Sequence, residues 1–297
     1  MHRSGYINIV GLPNVGKSTL LNAIIGEPLA ITSGKAQTTR NRLLGIINTD
    51  EAQLIFSDTP GYINQPAYAL HEAMNHYVHQ SFEDADVLLL VTDKFQRMEE
   101  QSFLINQMNR VNTPQFVVFN KIDLCDQQTL NEWQEKWSAQ LPKAIFFPIS
   151  AQEKFHIEEL KKAIAPLLPE SPAYYEKDQI SDRQVRYFAA EFVREQIFNL
   201  YSKEIPYSCQ VDCEDYKEYD DIDRIRCIIY VERDSQKNIV IGKGGAAINK
   251  VGRQARLKLE EWLGKKVFLD LFVKVRPNWR SNESQLRSFG FGKGSND

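Results

Sequence analysis

Two hydrophobic rhythms divide this chain. Up to Ala165, short apolar runs alternate with amphipathic stretches. The runs at residues 6–10, 53–57, 87–91, 115–119 and 145–149 predict strands, and the stretches at 19–25, 67–82, 100–110, 129–140 and 157–165 predict helices. Strands that read as nearly continuous apolar runs between helices indicate a mostly parallel sheet covered on both faces. Residues 43–48 add an edge strand that hairpins onto 53–57. Pro166, Pro169 and Pro172 then interrupt the pattern and mark a linker. Beyond it the order becomes α-β-β-α-β. A helix at 181–201 opens on a Ser181 cap and carries Val185, Phe188, Phe192, Ile197 and Leu200 on one side. Strands follow at 207–213 and 224–233, then a helix at 246–263 and a strand at 267–275. The expected architecture is an α/β domain over 1–166, a linker over 167–180, a smaller α+β domain over 181–280 and a tail over 281–297, its end (292–297) disordered.

The chemistry-bearing motifs fall at the carboxyl ends of the predicted strands, the edge where α/β sheets bind ligands. Gly11-Leu12-Pro13-Asn14-Val15-Gly16-Lys17-Ser18 follows the first strand and opens the first helix. Its glycines let backbone N–H groups wrap a phosphate at a helix N-terminus. Lys17 then reaches the β- and γ-phosphates, and Ser18 is a Mg²⁺ ligand. Gly11, Asn14, Val15, Gly16, Lys17, Ser18 and Thr19 form the expected cradle. Asp58-Thr59-Pro60-Gly61 ends the 53–57 strand, where Asp58 holds Mg²⁺ through water and the Gly61 N–H senses a γ-phosphate. Asn120-Lys121-Ile122-Asp123 ends a further strand; the Asp123 carboxylate accepts both N1–H and the N2 amino group of guanine, a donor pair that adenine lacks. Ser150-Ala151 ends the next, offering a backbone N–H to guanine O6. Four such motifs in this order predict a P-loop domain for GTP and GDP.

The second domain carries Ile239-Val240-Ile241-Gly242-Lys243-Gly244-Gly245-Ala246-Ala247-Ile248, a GxxG turn between an apolar run and a basic amphipathic helix. Glycines there let nucleic-acid phosphates approach a helix N-terminus, with bases lying over Ile239, Ile241 and Ile248. Gly242, Gly244 and Gly245 shape the turn, while Lys243, Lys250, Arg253 and Arg256 supply charge. Charge supports this reading locally. The whole chain carries −3, yet residues 233–280 hold 12 basic and 4 acidic side chains.

The remaining features narrow the class. The acidic run 212–223, with seven carboxylates and one lysine, reads as a solvated hairpin tip whose ligand order fits no calcium loop. Cys125, Cys209, Cys213 and Cys227 show no CxxC pair and read as reduced thiols. His2, His71, His76, His79 and His156 form no metal spacing. Arg40 and Arg42 read as solvent-facing. The first strand begins within a few residues of the start, leaving no signal peptide, and no apolar run approaches a membrane span.

With these motifs in place, the N-terminal half resembles the Ras-like GTPases of the translation-factor superfamily, and Lys35-Ala36-Gln37-Thr38-Thr39-Arg40 resembles the switch of the Era family. The GxxG region resembles a KH domain. The order of the two, with Val273-Lys274-Val275-Arg276, Trp279 and Leu286-Arg287-Ser288-Phe289-Gly290, resembles that family across nearly the whole chain. The resemblance implies Thr39 as a Mg²⁺ ligand, with Thr38 its rival, and K⁺ recruited by Asn14 during catalysis with Lys17, Thr39 and Gly61. Ras-type enzymes place a glutamine after the DxxG glycine; Tyr62 stands there, implying slow hydrolysis. The resemblance further implies binding to small-subunit ribosomal RNA near its 3′ end, help in assembling that subunit, a cytoplasmic monomer and peripheral contact with the inner membrane. The alternatives are an RNA-binding scaffold with little GTP turnover and a GTPase acting at a membrane surface.

Overall fold

The computed structural model describes residues 2–291; the disorder expected over 292–297 lies outside them. The first of two units comprises the residues up to Ala30, Thr39–Pro66 and Met74–Asp182. Its strands are β1 (Arg3–Val10), β2 (Leu43–Asn48), β3 (Ala52–Asp58), β4 (Val87–Thr92), β5 (Gln115–Phe119) and β6 (Ile145–Pro148). Its helices are α1 (Lys17–Ile25), α2 (Ala69–Gln80), whose first residues belong to the second unit, α3 (Ser102–Arg110), α4 (Gln127–Gln140) and α5 (Ile157–Ile164). The sheet order is β2-β3-β1-β4-β5-β6. Only β2 pairs antiparallel.

Apolar continuity explains the central strands. Every residue from Val87 to Val91 is fully buried, as side chains covered by helices on both faces must be. In α5, Ile157, Leu160 and Ile164 recur at helical spacing and are buried, while the intervening Glu158, Glu159 and Lys162 are not. Asp126 caps α4 by accepting the Thr129 N–H at 2.7 Å. Parallel register then levels the strand ends: Ile9 is opposite both Asp58 and Leu89, and Thr92 is opposite Phe119. All four nucleotide motifs therefore open along one edge.

The residues after the proline-rich segment run along the β2 edge. Ile46 N–H donates to Ile180 O at 2.9 Å, and Leu44 N–H to the Asp182 carboxylate at 3.2 Å. Ser181 caps no helix, contrary to the sequence reading; its hydroxyl donates to Leu44 O at 2.7 Å. The exposed donors and acceptors of an edge strand attract such cover.

The second unit comprises Ile31–Thr38, Ala67–Ala73 and the residues from Arg183 on. It contains α6 (Val185–Leu200), α7 (Ile205–Ser208), β7 (Gln210–Lys217), β8 (Ile222–Val231), α8 (Asp234–Ile241), α9 (Ala246–Leu263), β9 (Lys266–Val275) and α10 (Glu283–Ser288). Its sheet is β7-β8-β9, with β7 antiparallel and β9 parallel to β8. Helix α6 was expected to bury one side, yet all residues from Phe188 to Phe198 except Glu191 are buried. The reason is Ile31–Thr38, which covers its other side. Thr32 N–H donates to Glu195 at 3.2 Å, Arg194 donates to Thr38 O, and Lys35 donates to Phe198 O and Tyr201 O.

Three further differences have local causes. Residues 239–241 are the end of α8, a helix absent from the expected α-β-β-α-β order; Val240 is buried, Tyr201 donates its hydroxyl to Val240 O at 2.7 Å, and Gln236 caps the helix start. The strand expected at 207–213 begins at Gln210, because α7 precedes it and β7 runs on through the acidic segment. Residues 281–291, read as the start of a tail, contain α10 and bury Leu286 and Phe291.

Trp279 is fully buried, donates Nε1–H to Ser208 O at 3.0 Å and meets Phe289 edge to face. Trp279→Ala is expected to destabilise this unit by about 3–5 kcal/mol, read as a lowered urea midpoint by circular dichroism.

Candidate functional site

The loop between β1 and α1 is closed by its own side chains. Gly16 caps α1 in the left-handed region at φ 95°, where an added Cβ would lie 2.3 Å from the Asn120 amide nitrogen. No other residue fits that turn. Lys17 is buried and donates its ammonium to Gly11 O at 3.1 Å and Leu12 O at 2.8 Å, spanning the loop. Ser18 Oγ donates to Asp58 Oδ2 at 2.7 Å. Thr39 Oγ1 lies 2.7 Å from Ser18 Oγ and donates to the same carboxylate oxygen at 3.1 Å. Thr39, and not Thr38, therefore joins Ser18 and Asp58. Gly61 packs on Pro13, and the next residue, Tyr62, donates its N–H to Gly11 O at 3.2 Å, drawing the Asp58–Gly61 loop onto the phosphate loop.

A second corner forms around Asn120. Its Nδ2 donates to Val15 O at 2.9 Å, while Oδ1 accepts the Ala151 N–H at 2.9 Å and the Lys121 N–H at 2.8 Å. One side chain thus ties three loops together. Asp123 is exposed and accepts the Ser150 hydroxyl at 2.6 Å on Oδ1. That bond orients the carboxylate and leaves Oδ2 to receive a guanine donor. Lys121 Nζ donates to Asn14 O at 2.8 Å, so both corners share the Val15–Asn14 backbone.

The donor chemistry suits a hard divalent cation. Ser18, Thr39 and Asp58 present only oxygen, and Asp58 Oδ1 is buried without a hydrogen-bond partner. One carboxylate with hydroxyls is the protein share of a Mg²⁺ site completed by phosphates and water. Burial pushes the Lys17 ammonium down to about 8, opposed by the attraction of Asp58. Burial likewise raises Asp58, against the pull of Lys17 and the hydroxyls of Ser18 and Thr39. An arriving phosphate restores the charge that Lys17 loses to burial.

In the second unit, Gly242, Gly244 and Gly245 adopt positive φ and turn α8 into α9, with Gly245 N–H donating to Gly242 O at 3.1 Å. Helix α9 buries Val251, Ala255 and Leu259, leaving Lys250, Arg253 and Arg256 outside. A groove of about 460 Å³ separates α9 from β9, lined among others by Ile248, Arg253, Arg256, Phe268 and Leu271. Of the predicted RNA-facing residues, Ile248, Arg253 and Arg256 line it. Gly242, Lys243, Gly244 and Gly245 form the turn before α9, where Lys243 and Gly244 are exposed; Ile241 closes α8, and Lys250 is exposed on α9.

Several residues stand where sequence reasoning did not put them. Arg40 is buried, and Arg42 donates to Ser57 Oγ at 2.6 Å and Asn8 Oδ1 at 3.1 Å; neither is solvent-facing as expected, Arg42 being drawn in by these acceptors and by Asp84. Asp93 was missed. It is fully buried after β4, accepts the Phe95 N–H at 2.8 Å and pairs with Lys121 Nζ at 2.6 Å. Its place just past a strand's carboxyl end was the available signal. Phe268 and Leu271 were read only as strand residues, since nothing local reveals which strand lines the groove.

Two outcomes follow from this geometry. Asp93→Asn removes the charge that holds Lys121 over Asn14 and is expected to cost about 2 kcal/mol of GDP affinity, measured by titration calorimetry. GDP affinity is expected to be flat below about pH 8 and to fall by up to about tenfold per pH unit above it. The sign follows from Lys17: above its depressed value the free protein has lost a proton that the bound state regains, so binding takes up about one proton at about pH 9, read from calorimetry in buffers of different ionisation enthalpy.

Comparison with known proteins matches both halves of the chain. A family model described as "50S ribosome-binding GTPase" matches residues 6–121, and a KH domain model matches 204–280. GTPase Era of Staphylococcus epidermidis is 41% identical over 294 residues, covering 98% of this chain and 97% of the relative. GTPase Era of Pseudomonas aeruginosa is 42% identical over 291 residues, covering 98% and 95%. A crystal structure of Era with MgGDPNP and nucleotides 1506–1542 of 16S ribosomal RNA superposes with a TM-score of 0.93 at 38% identity, covering 98% and 99%. A tyrosine-to-alanine variant of Aquifex aeolicus Era bound to GDP·AlF4⁻ gives 0.92 at 38%, covering 97% and 99%. With a P-loop corner, a guanine corner and a GxxG groove in one chain, and relatives matching it nearly end to end, this protein belongs to the Era family of GTPases.

Proposed function

We propose that the chain is a GTP-hydrolysing switch that binds single-stranded RNA near the 3′ end of small-subunit ribosomal RNA and assists assembly of the small ribosomal subunit. The observation that carries the reading is the presence in one chain of the Asn120–Asp123 guanine corner and the Gly242–Gly245 turn that opens the basic helix α9. The relative solved with MgGDPNP and 16S ribosomal RNA nucleotides supports both halves. In this reading residues 1–166 handle the nucleotide, 167–180 link and 181–280 bind RNA, with α10 folded onto that domain.

Each side chain then has a task. Lys17 holds the β- and γ-phosphates, with the N–H groups of the Gly11–Thr19 segment around them, and the Gly61 N–H meets the γ-phosphate. Asp123 accepts the guanine N1–H and N2 amino group, the Ala151 N–H meets O6, and Asn120 keeps their loops in place. Mg²⁺, held by Ser18, Thr39 and Asp58, supplies positive charge to the β- and γ-phosphate oxygens. Asn14, exposed on the loop, would hold K⁺, which would supply positive charge to the phosphates. Tyr62 orients no water; its ring stacks on Phe103 at 4.1 Å and meets His79 edge to face, so intrinsic hydrolysis is slow. Thr39 joins the nucleotide corner while the carbonyl of the preceding Thr38 accepts from Arg194, which supports transmission of nucleotide state to α6. Cytoplasmic residence, a monomeric state and peripheral contact with the inner membrane complete the proposal. Among the described residues no helix is long and apolar enough to cross a membrane.

The test is binding of a short RNA matching the 3′ end of the small-subunit ribosomal RNA, with a GTP analogue and with GDP. Tight binding favoured by the analogue is expected. Gly244→Asp places an anion in open space at the phosphate clamp, at a left-handed φ of 60° that aspartate tolerates at modest cost, and should weaken binding at least about tenfold, about 1.4 kcal/mol, without unfolding the unit. Weak binding in every state, unaffected by the variant, rejects the ribosomal reading. In turnover assays K⁺ should exceed Na⁺, and Asn14→Ala should erase the difference.

A further inference from the structure

Strands β7 and β8 place Cys213 directly opposite Cys227. Opposed residues of an antiparallel pair have Cα atoms about 4.5 or 5.5 Å apart, both inside the span of about 4.4–6.8 Å that a disulfide bridges. That register sets the two thiols beside each other, with Cys227 polarising Cys213, whose own S–H donates to Asp215 O at 3.5 Å. Immediately after Cys213 the ladder slips, leaving Glu214 unpaired as a bulge. A bulge gives one strand the freedom to shift locally that closing an S–S bond requires. We infer that Cys213 and Cys227 form a reversible oxidation site, a cross-strand dithiol that closes to an intrachain disulfide on exposure to a peroxide.

The surroundings supply the reactivity and the route. The hydrogen bond from Cys227 is the main influence holding the Cys213 thiol below its ordinary range, assisted by the Arg186 charge, and Cys227 is correspondingly raised. Cys213 is therefore the attacking group. A cleft of about 560 Å³ has Arg186 in its wall together with Glu214 and Asp215, the two residues after Cys213. In the reaction, the Cys213 thiolate attacks one peroxide oxygen, giving a sulfenic acid and hydroxide, which takes up the proton Cys213 released. Cys227 then attacks the sulfenic sulfur, loses its proton and expels a second water, so two thiols and one hydrogen peroxide become one disulfide and two waters. Neither other cysteine competes for this partner: Cys125 lies in the first unit, and Cys209 lies four residues before Cys213, about 13 Å along an extended chain.

The test treats the folded full-length protein with a small excess of hydrogen peroxide, blocks free thiols and maps the peptides. The expected product has lost about 2 Da, contains a linked Cys213–Cys227 peptide, reverts with dithiothreitol and melts about 5 °C higher because the 213–227 loop is closed. Cys213→Ala and Cys227→Ala should each abolish the link, while Cys125→Ala should leave it. Oxidation confined to Cys125 or Cys209, or a link that appears only after denaturation, overturns the inference.

Discussion

The carboxamide of Asn120 is the joint on which the nucleotide half depends. It is buried, and its oxygen and nitrogen make three hydrogen bonds to backbone groups of three different loops. Removing it would leave Val15 O and the Ala151 N–H buried without partners, and an unmet buried polar group costs more than a met one contributes. The arrangement also explains why Gly16 stands where it does: any side chain would strike the same amide. The phosphate loop and the base-reading loops are consequently one rigid object, set by a single side chain at the end of β5.

A comparable constraint governs the second unit. Helix α6 buries Arg194 and Glu195, charges that specific partners make tolerable, although Arg194 Nη1 is left without a hydrogen bond. Arg194 is held by Glu191 and by Thr38 O, and Glu195 by the Thr32 N–H and Lys258 of α9. Glu195 thus connects the Ile31–Thr38 segment with the helix that follows the GxxG turn. Such charges specify a position sharply, because no shifted arrangement satisfies them.

Charge in this chain is distributed by element. The basic residues stand on the outer side of α9 and near the turn, whereas the acidic run follows β7 and the hairpin after it. One acid of that hairpin is not solvated: Asp223 is buried, pairs with Lys265 at 2.6 Å and accepts the Tyr216 hydroxyl at 2.8 Å. The expectation of a free tip therefore held only for the turn between β7 and β8.

Features encoded by neighbours in sequence were legible without a structure. The strands at 115–119 and 43–48 were read with their observed limits, because apolar runs and turn residues act locally. The four motifs at strand ends were legible for the same reason, each being a short stretch whose backbone needs are written in its glycines and polar residues. Other decisions were made by partners far along the chain. Whether Thr38 or Thr39 faces Asp58, why α6 is buried all round, that Ser181 bonds to β2, that Asp93 clamps Lys121 and that Cys213 meets Cys227 all depend on register and packing. No local pattern encodes these pairings, because each joins residues brought together only when the sheets assemble.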